Sequence, residues 1–196
     1  MKRRDKNIVL VGFMGTGKSA VARILGQILG RPVVETDRVI EEREGMEISR
    51  IFSEKGEEYF RRRERETIRE LAAQTGRVIA AGGGAVIDPA NVAALEKNGV
   101  LFCLNARPEA ILRRLEGESH RPLLEGGDRR KRVEELLERR RPFYRRLKNQ
   151  VETSDLSPEE VADKIIGMLR FRGRGAVSGG RPAAGKESTV EKGGEE

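Results

Sequence analysis

The chain has 196 residues, enough for one domain with a sizeable core, and no run of about 18 apolar residues that could cross a membrane. Its single cysteine, Cys103, excludes an internal disulfide and a cysteine-rich metal cluster, and its place in the apolar run VLFCLN predicts a small buried side chain. The net charge of +7 with only 4% aromatic residues favours small anions over single-stranded nucleic acid as ligands.

Five short apolar runs predict strands, and helical patterns lie between them. The basic and then apolar N-terminus, MKRRDKNIVLVG, is interrupted at once by glycines, so we interpret it as a first strand rather than a signal peptide and expect a cytoplasmic protein. Strands that alternate with helices predict a parallel sheet covered on both faces, with ligands beyond the carboxyl ends of its strands. The strand candidates are NIVLVG, RPVVET, RVIAAG, VLFCLN and QVET.

The first strand leads into a glycine-rich loop, GFMGTGKS, which fits the phosphate-binding pattern G-x-x-x-x-G-K-[ST] from Gly12 to Ser19. Glycines let successive backbone N–H groups face one concavity, and the following helix adds its positive end. Lys18 would bring a full charge to the β- and γ-phosphates, and the Ser19 hydroxyl would join the shell of a Mg²⁺ ion. The helix after the loop has apolar residues at i, i+3, i+4 and i+7 (Val21, Ile24, Leu25, Ile28).

Two carboxylates, Glu35 and Asp37, follow the second strand. If both stand on the strand, they leave the same face, so one can hold a metal-bound water and the other can accept the proton of a hydroxyl nucleophile. The alternative is that Asp37 caps the helix RVIEER. The residues leave both readings open.

Further along the chain, an arginine-rich helix and a glycine triplet are candidates for a second ligand. In GEEYFRRRERETIREL most arginines are expected on a solvated face, but one inside a site would grip a carboxylate through its planar fork. The triplet Gly82–Gly84 ends the third strand candidate and would leave bare backbone against a ligand, with a flexible turn as the alternative.

Two helix starts are also marked in the sequence. They are a helix cap at Asp88-Pro89 and a capping box at Ser157-Pro158-Glu159-Glu160.

The basic segment from Glu118 to Leu147 contains EGGD, which predicts a mobile flap that excludes water from phosphoryl transfer. Arg121 in this flap would reach the phosphates on closure, whereas the only histidine, His120, has no partner for a zinc site and receives no role. From about residue 172 the chain is glycine-rich and polar without apolar periodicity, so we expect a single domain over 1–171 and a disordered tail over 172–196.

Taken together and in this order, these motifs resemble the shikimate kinase family over about residues 8–169. They are the glycine loop, Thr36-Asp37, F-R-R-x-E at Phe60–Glu64, the glycine triplet, Arg121-Pro122-Leu123-Leu124, and R-x-P-x-Y at Arg140–Tyr144. The resemblance implies a three-layer P-loop NTPase fold of the nucleoside-monophosphate-kinase type, with a central five-stranded parallel sheet and helices on both faces. It also implies a substrate-binding region over about 37–66 and a mobile lid over about 116–128.

The same resemblance implies the reaction: transfer of the γ-phosphoryl group of ATP to the 3-hydroxyl of shikimate, with Mg²⁺, in a cytoplasmic monomer that binds neither nucleic acid nor membrane. Asp37 would activate the hydroxyl, while Lys18 and Arg121 would stabilise the phosphoryl group. Arg61 and Arg140 would grip the carboxylate of shikimate, and Gly83 and Gly84 would contact its ring hydroxyls. The implied ATP contacts are Gly15, Thr16, Gly17, Lys18, Ser19, Ala20, Arg114, Arg121 and Pro158, and the implied metal contacts are Ser19 and, through water, Glu35.

The sequence departs from the family pattern at two positions. Glu35 stands where the family usually has aspartate, and Ala20 stands where it often has threonine. Two other functions also fit part of the pattern: a related small-metabolite kinase such as a gluconate kinase, and a non-catalytic NTP switch that binds nucleic acid through its arginines. If the acceptor were gluconate, which lacks a ring, the glycine triplet and the paired arginines would have no obvious function. The NTP switch predicts salt-sensitive binding to DNA or RNA.

Overall fold

A computed structural model describes residues 6–116 and 128–174. Its elements alternate between strand and helix as the apolar pattern predicts. In chain order they are β1 (Asn7–Gly12), α1 (Lys18–Leu29), β2 (Val33–Glu35), α2 (Thr36–Glu44), α3 (Ile48–Ala73), β3 (Val78–Ala80), a 3₁₀ turn (Ala85–Ile87), α4 (Pro89–Asn98), β4 (Gly99–Asn105), α5 (Pro108–Leu115), α6 (Arg129–Arg145), β5 (Gln150–Glu152) and α7 (Pro158–Arg174).

The five strands form one parallel sheet in the order β2-β3-β1-β4-β5. This confirms the predicted sheet. Because β1 lies at the centre, with β3 on one side and β4 on the other, the chain reverses its direction of winding next to the loop that follows β1. Such a switch point opens a crevice at the carboxyl ends of the strands, which is where a ligand binds in folds of this class.

Alternate residues of the strands face two separate apolar layers. Val9 and Cys103 face the layer formed by α3, α4, α5 and α6, while Leu10 and Phe102 face the layer formed by α1 and α7. Both layers are fully buried at the sheet, so the structure has the three-layer arrangement that the sequence predicts. Cys103 is the small buried side chain expected, and burial raises the pKa of its thiol to about 12.

A third, smaller cluster lies apart from both layers. Ile40 from α2 and Ile51 and Phe60 from α3 form its buried centre. Gly56, with φ 82° and ψ 166°, breaks the helical path inside α3 and separates a first segment that packs on α2 from a second that packs on the sheet. This cluster coincides with the substrate-binding region predicted over residues 37–66.

The predicted caps occur where the sequence places them. Asp88 accepts a hydrogen bond from the Ala90 backbone, and Pro89 is the first residue of α4. Ser157 and Glu160 form the reciprocal capping box at the start of α7, at 2.7 and 3.2 Å. α7 continues to Arg174, three residues beyond the predicted end of the domain.

The buried face of α1 differs from the predicted stripe. Val21 and Leu25 are buried as expected, but Ile28 is 56% exposed, and Gly26 lies in the interface instead. A Cβ at Gly26 would overlap the Val33 side chain, so the glycine lets the helix approach β2 closely. No helix in the two described ranges is long and apolar enough to cross a membrane.

Candidate active site

The loop between β1 and α1 forms an anion cradle at the carboxyl end of the sheet. Gly15 and Gly17 have left-handed φ values of 74° and 92°, which favour glycine, and the Thr16 hydroxyl donates to the Phe13 carbonyl at 2.7 Å. Gly17 precedes α1 without a side-chain cap, and the first turn carries no acidic residue. The positive end of this 12-residue helix therefore faces the loop ready for an anion.

The side chain of Lys18 is held against this loop by hydrogen bonds to the loop's backbone carbonyl groups. Its Nζ donates to the carbonyl oxygens of Gly12 and Phe13, both at 2.9 Å, so the ammonium group lies beside the cradle. The next residue, Ser19, donates from its hydroxyl to Glu35 Oε2 at 2.5 Å. A lysine, a serine hydroxyl and a carboxylate thus meet at the mouth of the loop.

Asp37 occupies neither of the two positions that its sequence pattern predicted, on the second strand or at the cap of the following helix. β2 ends at Glu35 and α2 begins at Thr36, so Asp37 stands in the first turn of a helix rather than on a strand. It is not the cap either, because the N-cap position belongs to Glu35, whose side chain forms no capping bond. Both carboxylates nevertheless line one cavity, since the short helix start turns them toward the same crevice.

The glycine triplet brings three predicted side chains together. A Cβ at Gly82 would overlap Asp37 Oδ1, and a Cβ at Gly84 would overlap the guanidinium of Arg61. A Cβ at Gly83 would stand 3.4 Å from Nη1 of Arg140. The bare backbone of the triplet therefore admits one carboxylate and two guanidinium groups from three different helices. Each glycine thus faces a defined neighbour, which favours the predicted ligand-facing backbone over a flexible turn.

Arg61 is already oriented in this site by two carboxylates. Its Nη1 donates to Glu64 Oε2 at 2.8 Å, and its Nε and Nη2 donate to Glu57 Oε1 at 3.2 and 3.0 Å. Burial works against the charge of Arg61, yet Glu64 and Glu57 outweigh it, and the pKa of the guanidinium is raised. Glu64 has a raised pKa because it is buried, despite the opposing effect of Arg61. The arginine is thus a fixed cation rather than part of a solvated face.

Arg140 comes from α6 and is 5% exposed. Its guanidinium lies 5.8 Å from the centre of the Phe13 ring, and its Nε has no hydrogen-bond partner in the described residues. Tyr144, one turn along the same helix, donates from its hydroxyl to the Gly83 carbonyl at 2.7 Å. Burial raises the pKa of Tyr144 to about 12, so it stays protonated and ties α6 to the triplet.

Arg114, predicted to flank the base of a nucleotide, joins the phosphate loop to the turn after β5. Its guanidinium donates to the carbonyl oxygens of Gly15, Thr153 and Ser154, and to the Thr153 hydroxyl. The Thr153 hydroxyl in turn donates to the carbonyl of Thr16 at 3.2 Å. The geometry of the loop therefore depends on a residue from α5 and a residue after β5.

One cavity of about 1060 Å³ connects these groups, which is at the upper end for small-molecule sites and gives room for two substrates. Of the predicted residues, Thr16 and Pro158 do not line it, because Thr16 is buried beneath the loop and Pro158 lies at the start of α7. Arg121, His120 and most of the predicted lid lie outside the described residues, as does the chain after Arg174. The predicted residues that do line the cavity are Gly15, Gly17, Lys18, Ser19, Ala20, Glu35, Asp37, Arg61, Gly83, Gly84, Arg114 and Arg140.

Three residues of the site had no predicted role. Thr36 is fully buried, and its hydroxyl accepts a hydrogen bond from the Gly82 backbone at 2.9 Å, which joins α2 to the triplet. Glu64 orients Arg61, and Tyr144 holds Gly83. Each belongs to a motif that the sequence shows, so the signal was present, but the motifs alone do not say which neighbour each side chain contacts.

The chain is similar to known proteins over most of its length. A sequence model of the family described as shikimate kinase matches residues 14–170. The chain is 44% identical to a shikimate kinase of Caldanaerobacter subterraneus subsp. tengcongensis, over 86% of this chain and 99% of that protein. It is 47% identical to a shikimate kinase of Thermodesulfovibrio yellowstonii, over 82% of this chain and 93% of that protein. Among solved structures, a shikimate kinase from Acinetobacter baumannii in complex with shikimate superimposes with a TM-score of 0.83 at 34% identity, covering 86% of this chain and 95% of that one.

Proposed function

Because the chain belongs to the shikimate kinase family and is therefore an ATP-dependent phosphotransferase with an alcohol acceptor, we propose how its own residues carry the reaction. The reaction is transfer of the ATP γ-phosphoryl group to the 3-hydroxyl of shikimate, giving shikimate 3-phosphate and ADP. ATP takes the cradle formed by the phosphate loop, and shikimate takes the space beside the glycine triplet.

The observation that carries this assignment is the convergence of Asp37, Arg61 and Arg140 on Gly82–Gly84, inside the cavity that also holds the phosphate loop. Shikimate is a small anion with several hydroxyl groups. A site for it needs guanidinium forks for the carboxylate, a carboxylate for a hydroxyl and close backbone for the rest. These groups stand together here, whereas the open-chain acceptor gluconate has no ring to lie against the triplet.

In the reaction, Asp37 orients the 3-hydroxyl of shikimate and accepts its proton as the oxygen attacks the γ-phosphorus. Lys18 exchanges its contacts with the loop carbonyls for the phosphate oxygens and neutralises charge that develops on the transferred group. Arg61 and Arg140 hold the carboxylate, which fixes the ring so that the 3-hydroxyl faces the phosphate loop. Catalysis then rests mainly on positioning and charge neutralisation.

The residues at the mouth of the loop fit a Mg²⁺ ion. Ser19 and Glu35 offer hard oxygen atoms side by side, and Mg²⁺ in kinases takes few protein ligands in addition to phosphate oxygens. When bound, Mg²⁺ neutralises the phosphates and makes the γ-phosphorus more electrophilic. Glu35 is one methylene longer than aspartate and accepts a hydrogen bond from the Ser19 hydroxyl, so Ser19 would contact the ion directly and Glu35 would contact it through a water molecule.

The remaining parts of the proposal concern the nucleotide, the lid and the state of the protein. Arg114 flanks the adenine, with Pro158 on the neighbouring turn, and Arg121 in a lid over about 116–128 completes the phosphate site. The catalytic domain extends to the end of α7 at Arg174, slightly past the predicted boundary at 171, and works as a monomer. We assign it to the cytoplasm, as the resemblance to the family implies.

A panel of acceptors in a coupled ADP-release assay tests the proposal. We expect ATP and Mg²⁺ to support turnover with shikimate and not with gluconate. Arg61→Lys keeps the charge but loses the fork, so it should raise the KM for shikimate at least tenfold while the KM for ATP changes little. Arg65→Lys is the matched control, since Arg65 lies on the same helix but pairs with Asp88 outside the cavity. Equal effects of Arg61→Lys on both substrates would count against the assigned role.

The nucleic-acid alternative is tested separately. Several arginines of α3 are occupied by ion pairs, including Arg50 with Glu54 and Arg63 with Glu44 and Glu66. Arginines paired in this way contribute less to a polyanion interface than unpaired ones. We therefore expect no binding of DNA or RNA at about 150 mM salt, and a steep salt-dependent affinity in a filter-binding assay would support the switch instead.

A further inference from the structure

One carboxylate of the acceptor site is buried with half of its hydrogen-bonding capacity unused. Glu64 is 1% exposed; its Oε2 accepts from Arg61, but its Oε1 has no hydrogen-bond partner among residues 6–116 and 128–174. Oε1 lies beside the glycine triplet, 3.1 Å from the position that a Cβ of Gly82 would take, and Asp37 Oδ1 approaches the same position. A buried oxygen that receives no hydrogen bond is a poor place for a full negative charge.

The charges around Glu64 are balanced before any acceptor binds. The groups that face it are Arg61 on its own helix, Asp37 on α2 and Arg140 on α6. Glu57 reaches the same arginine from the solvent side, and Tyr144 on α6 remains protonated. Two guanidinium groups thus face the buried carboxylate of Glu64 and the half-buried carboxylate of Asp37.

An acceptor carboxylate disturbs this balance. It competes with Glu64 for Arg61 and takes the remaining donors of Arg140, so Glu64 loses neutralising charge while it stays out of contact with water. Burial already raises the pKa of Glu64, with Asp37 adding to the effect and the two arginines opposing it. A second carboxylate on the same arginines acts in the same direction as Asp37.

We propose that Glu64 takes up one proton from solvent on Oε1 when the carboxylate of the acceptor binds to Arg61 and Arg140, so that acceptor binding and protonation of this buried glutamate are linked. The inference rests on the proposed function, because it takes shikimate as the acceptor. The incoming charge of −1 is then offset by the loss of the charge of Glu64, and the neutral carboxyl still accepts from Arg61 through Oε2. Glu64 acts here as a positioning residue.

Proton uptake on binding determines the direction in which the affinity for shikimate changes with pH. A group whose pKa rises on binding makes binding tighter at low pH, so the affinity for shikimate should fall as the pH rises between the pKa of Glu64 in the free protein and its higher value in the complex. Above the second value the affinity becomes constant. An acceptor analogue with a carboxamide in place of the carboxylate brings no charge, so its binding should take up no proton.

Titration calorimetry of shikimate binding at a series of pH values, in buffers of different ionisation enthalpy, measures this directly. For the unaltered protein we expect proton uptake that is largest between the pKa of Glu64 in the free protein and its higher pKa in the complex, from the slope of the binding enthalpy against the ionisation enthalpy. Glu64→Gln keeps the acceptor for Arg61 but cannot titrate, and should bind shikimate with no uptake. Glu57→Gln is the matched control: it removes the other carboxylate from the same arginine, but one whose side chain is 61% exposed, and should keep the uptake.

The outcomes separate the inference from the proposed function. If the unaltered protein does not bind shikimate, the proposed function is wrong. If shikimate binds without proton uptake, or if Glu64→Gln takes up as many protons as the unaltered protein, the inference is overturned while the function stands. If Glu64→Gln fails to fold, an infrared difference spectrum of the unaltered protein decides the matter, since shikimate should produce the band of a protonated carboxyl group and its absence refutes the inference.

Discussion

Replacing Gly84 by alanine tests the geometry of the acceptor site with a single methyl group. Gly84 has φ −93° and ψ −6°, which alanine adopts without strain. The new Cβ would stand 2.7 Å from Nη2 and 2.9 Å from Cζ of Arg61, and Nη1 would be nearer still. Since carbon makes its best contacts at about 3.5 Å or more, the guanidinium must withdraw by about 1 Å. Its flexible stem allows this, so the fold should tolerate the change.

A displacement of about 1 Å in a substrate-positioning group costs on the order of 100-fold in activity. Loss of a charge-assisted contact costs about 1.5–3 kcal/mol, or roughly 10–150-fold in affinity. We therefore expect Gly84→Ala to raise the KM for shikimate about 10- to 100-fold, with the KM for ATP within about threefold and the thermal midpoint within about 3 °C. Steady-state kinetics with each substrate varied in turn, together with a thermal melt, measure all three. Gly167→Ala is the control, because no other side chain or distant backbone lies near that position of α7.

A double-mutant cycle separates an effect through Arg61 from a direct clash with shikimate. If Gly84→Ala acts by moving the guanidinium, it should add little to Arg61→Lys, whose smaller head group leaves room for the methyl. Additive effects of the two substitutions would mean that the methyl group obstructs shikimate itself. A loss of affinity for ATP equal to that for shikimate would refute the reasoning altogether, since Gly84 faces only the acceptor side.

Three further predictions concern the rest of the molecule. Lys18→Ala should reduce kcat by about 100-fold or more in the ADP-release assay with a normal melting profile, because the charge beside the phosphates is lost while the loop backbone remains. Arg114→Ala should raise the KM for ATP more than that for shikimate, because Gly15, Thr153 and Ser154 lose a shared donor, and an unchanged KM for ATP would contradict this. Hydrogen bonds from Lys55 and Tyr59 lower the pKa of Glu44 from 4.5 to about 2, so its stabilising effect should be present above pH 4.5 and disappear as the pH falls toward 2. Denaturant unfolding of Glu44→Gln and the unaltered protein should therefore differ at pH 7 and converge near pH 2.

The sheet and the phosphate loop could be predicted because each depends on contiguous residues. A short apolar run such as VLFCLN is typical of a strand buried on both faces, and the phosphate-binding glycine pattern is typical of a loop between a strand and a helix. The capping box of α7 is likewise a local interaction over four residues. Local patterns of this kind do not depend on the packing of distant elements.

The acceptor site could be predicted only in part, because it depends on contacts between distant residues. The resemblance to a family supplied Asp37, Arg61 and Arg140, but no local pattern says that each faces a different glycine of the triplet. The position of Asp37 in a helix depends on β2 ending at Glu35, and a shift of one or two residues in a strand end is beyond what apolar periodicity can resolve. The sequence places Thr36 in a motif but predicts no role for it, because its hydroxyl bonds to Gly82, 46 residues further along the chain.

The charges in the acceptor site indicate how it achieves selectivity. Arg61 and Arg140 are opposed by Asp37 and Glu64, so these four groups attract an anion little through net charge. Affinity must then come from the directions in which the guanidinium groups donate, and these directions are fixed by Glu57, Glu64 and the glycine triplet. An anion of a different shape would lose its hydrogen bonds to Arg61 or Arg140, and the small net charge of the four groups would not compensate for that loss. In the proposed site, selectivity would therefore come from arginines that are held in place, and the open space at three consecutive glycines permits that arrangement.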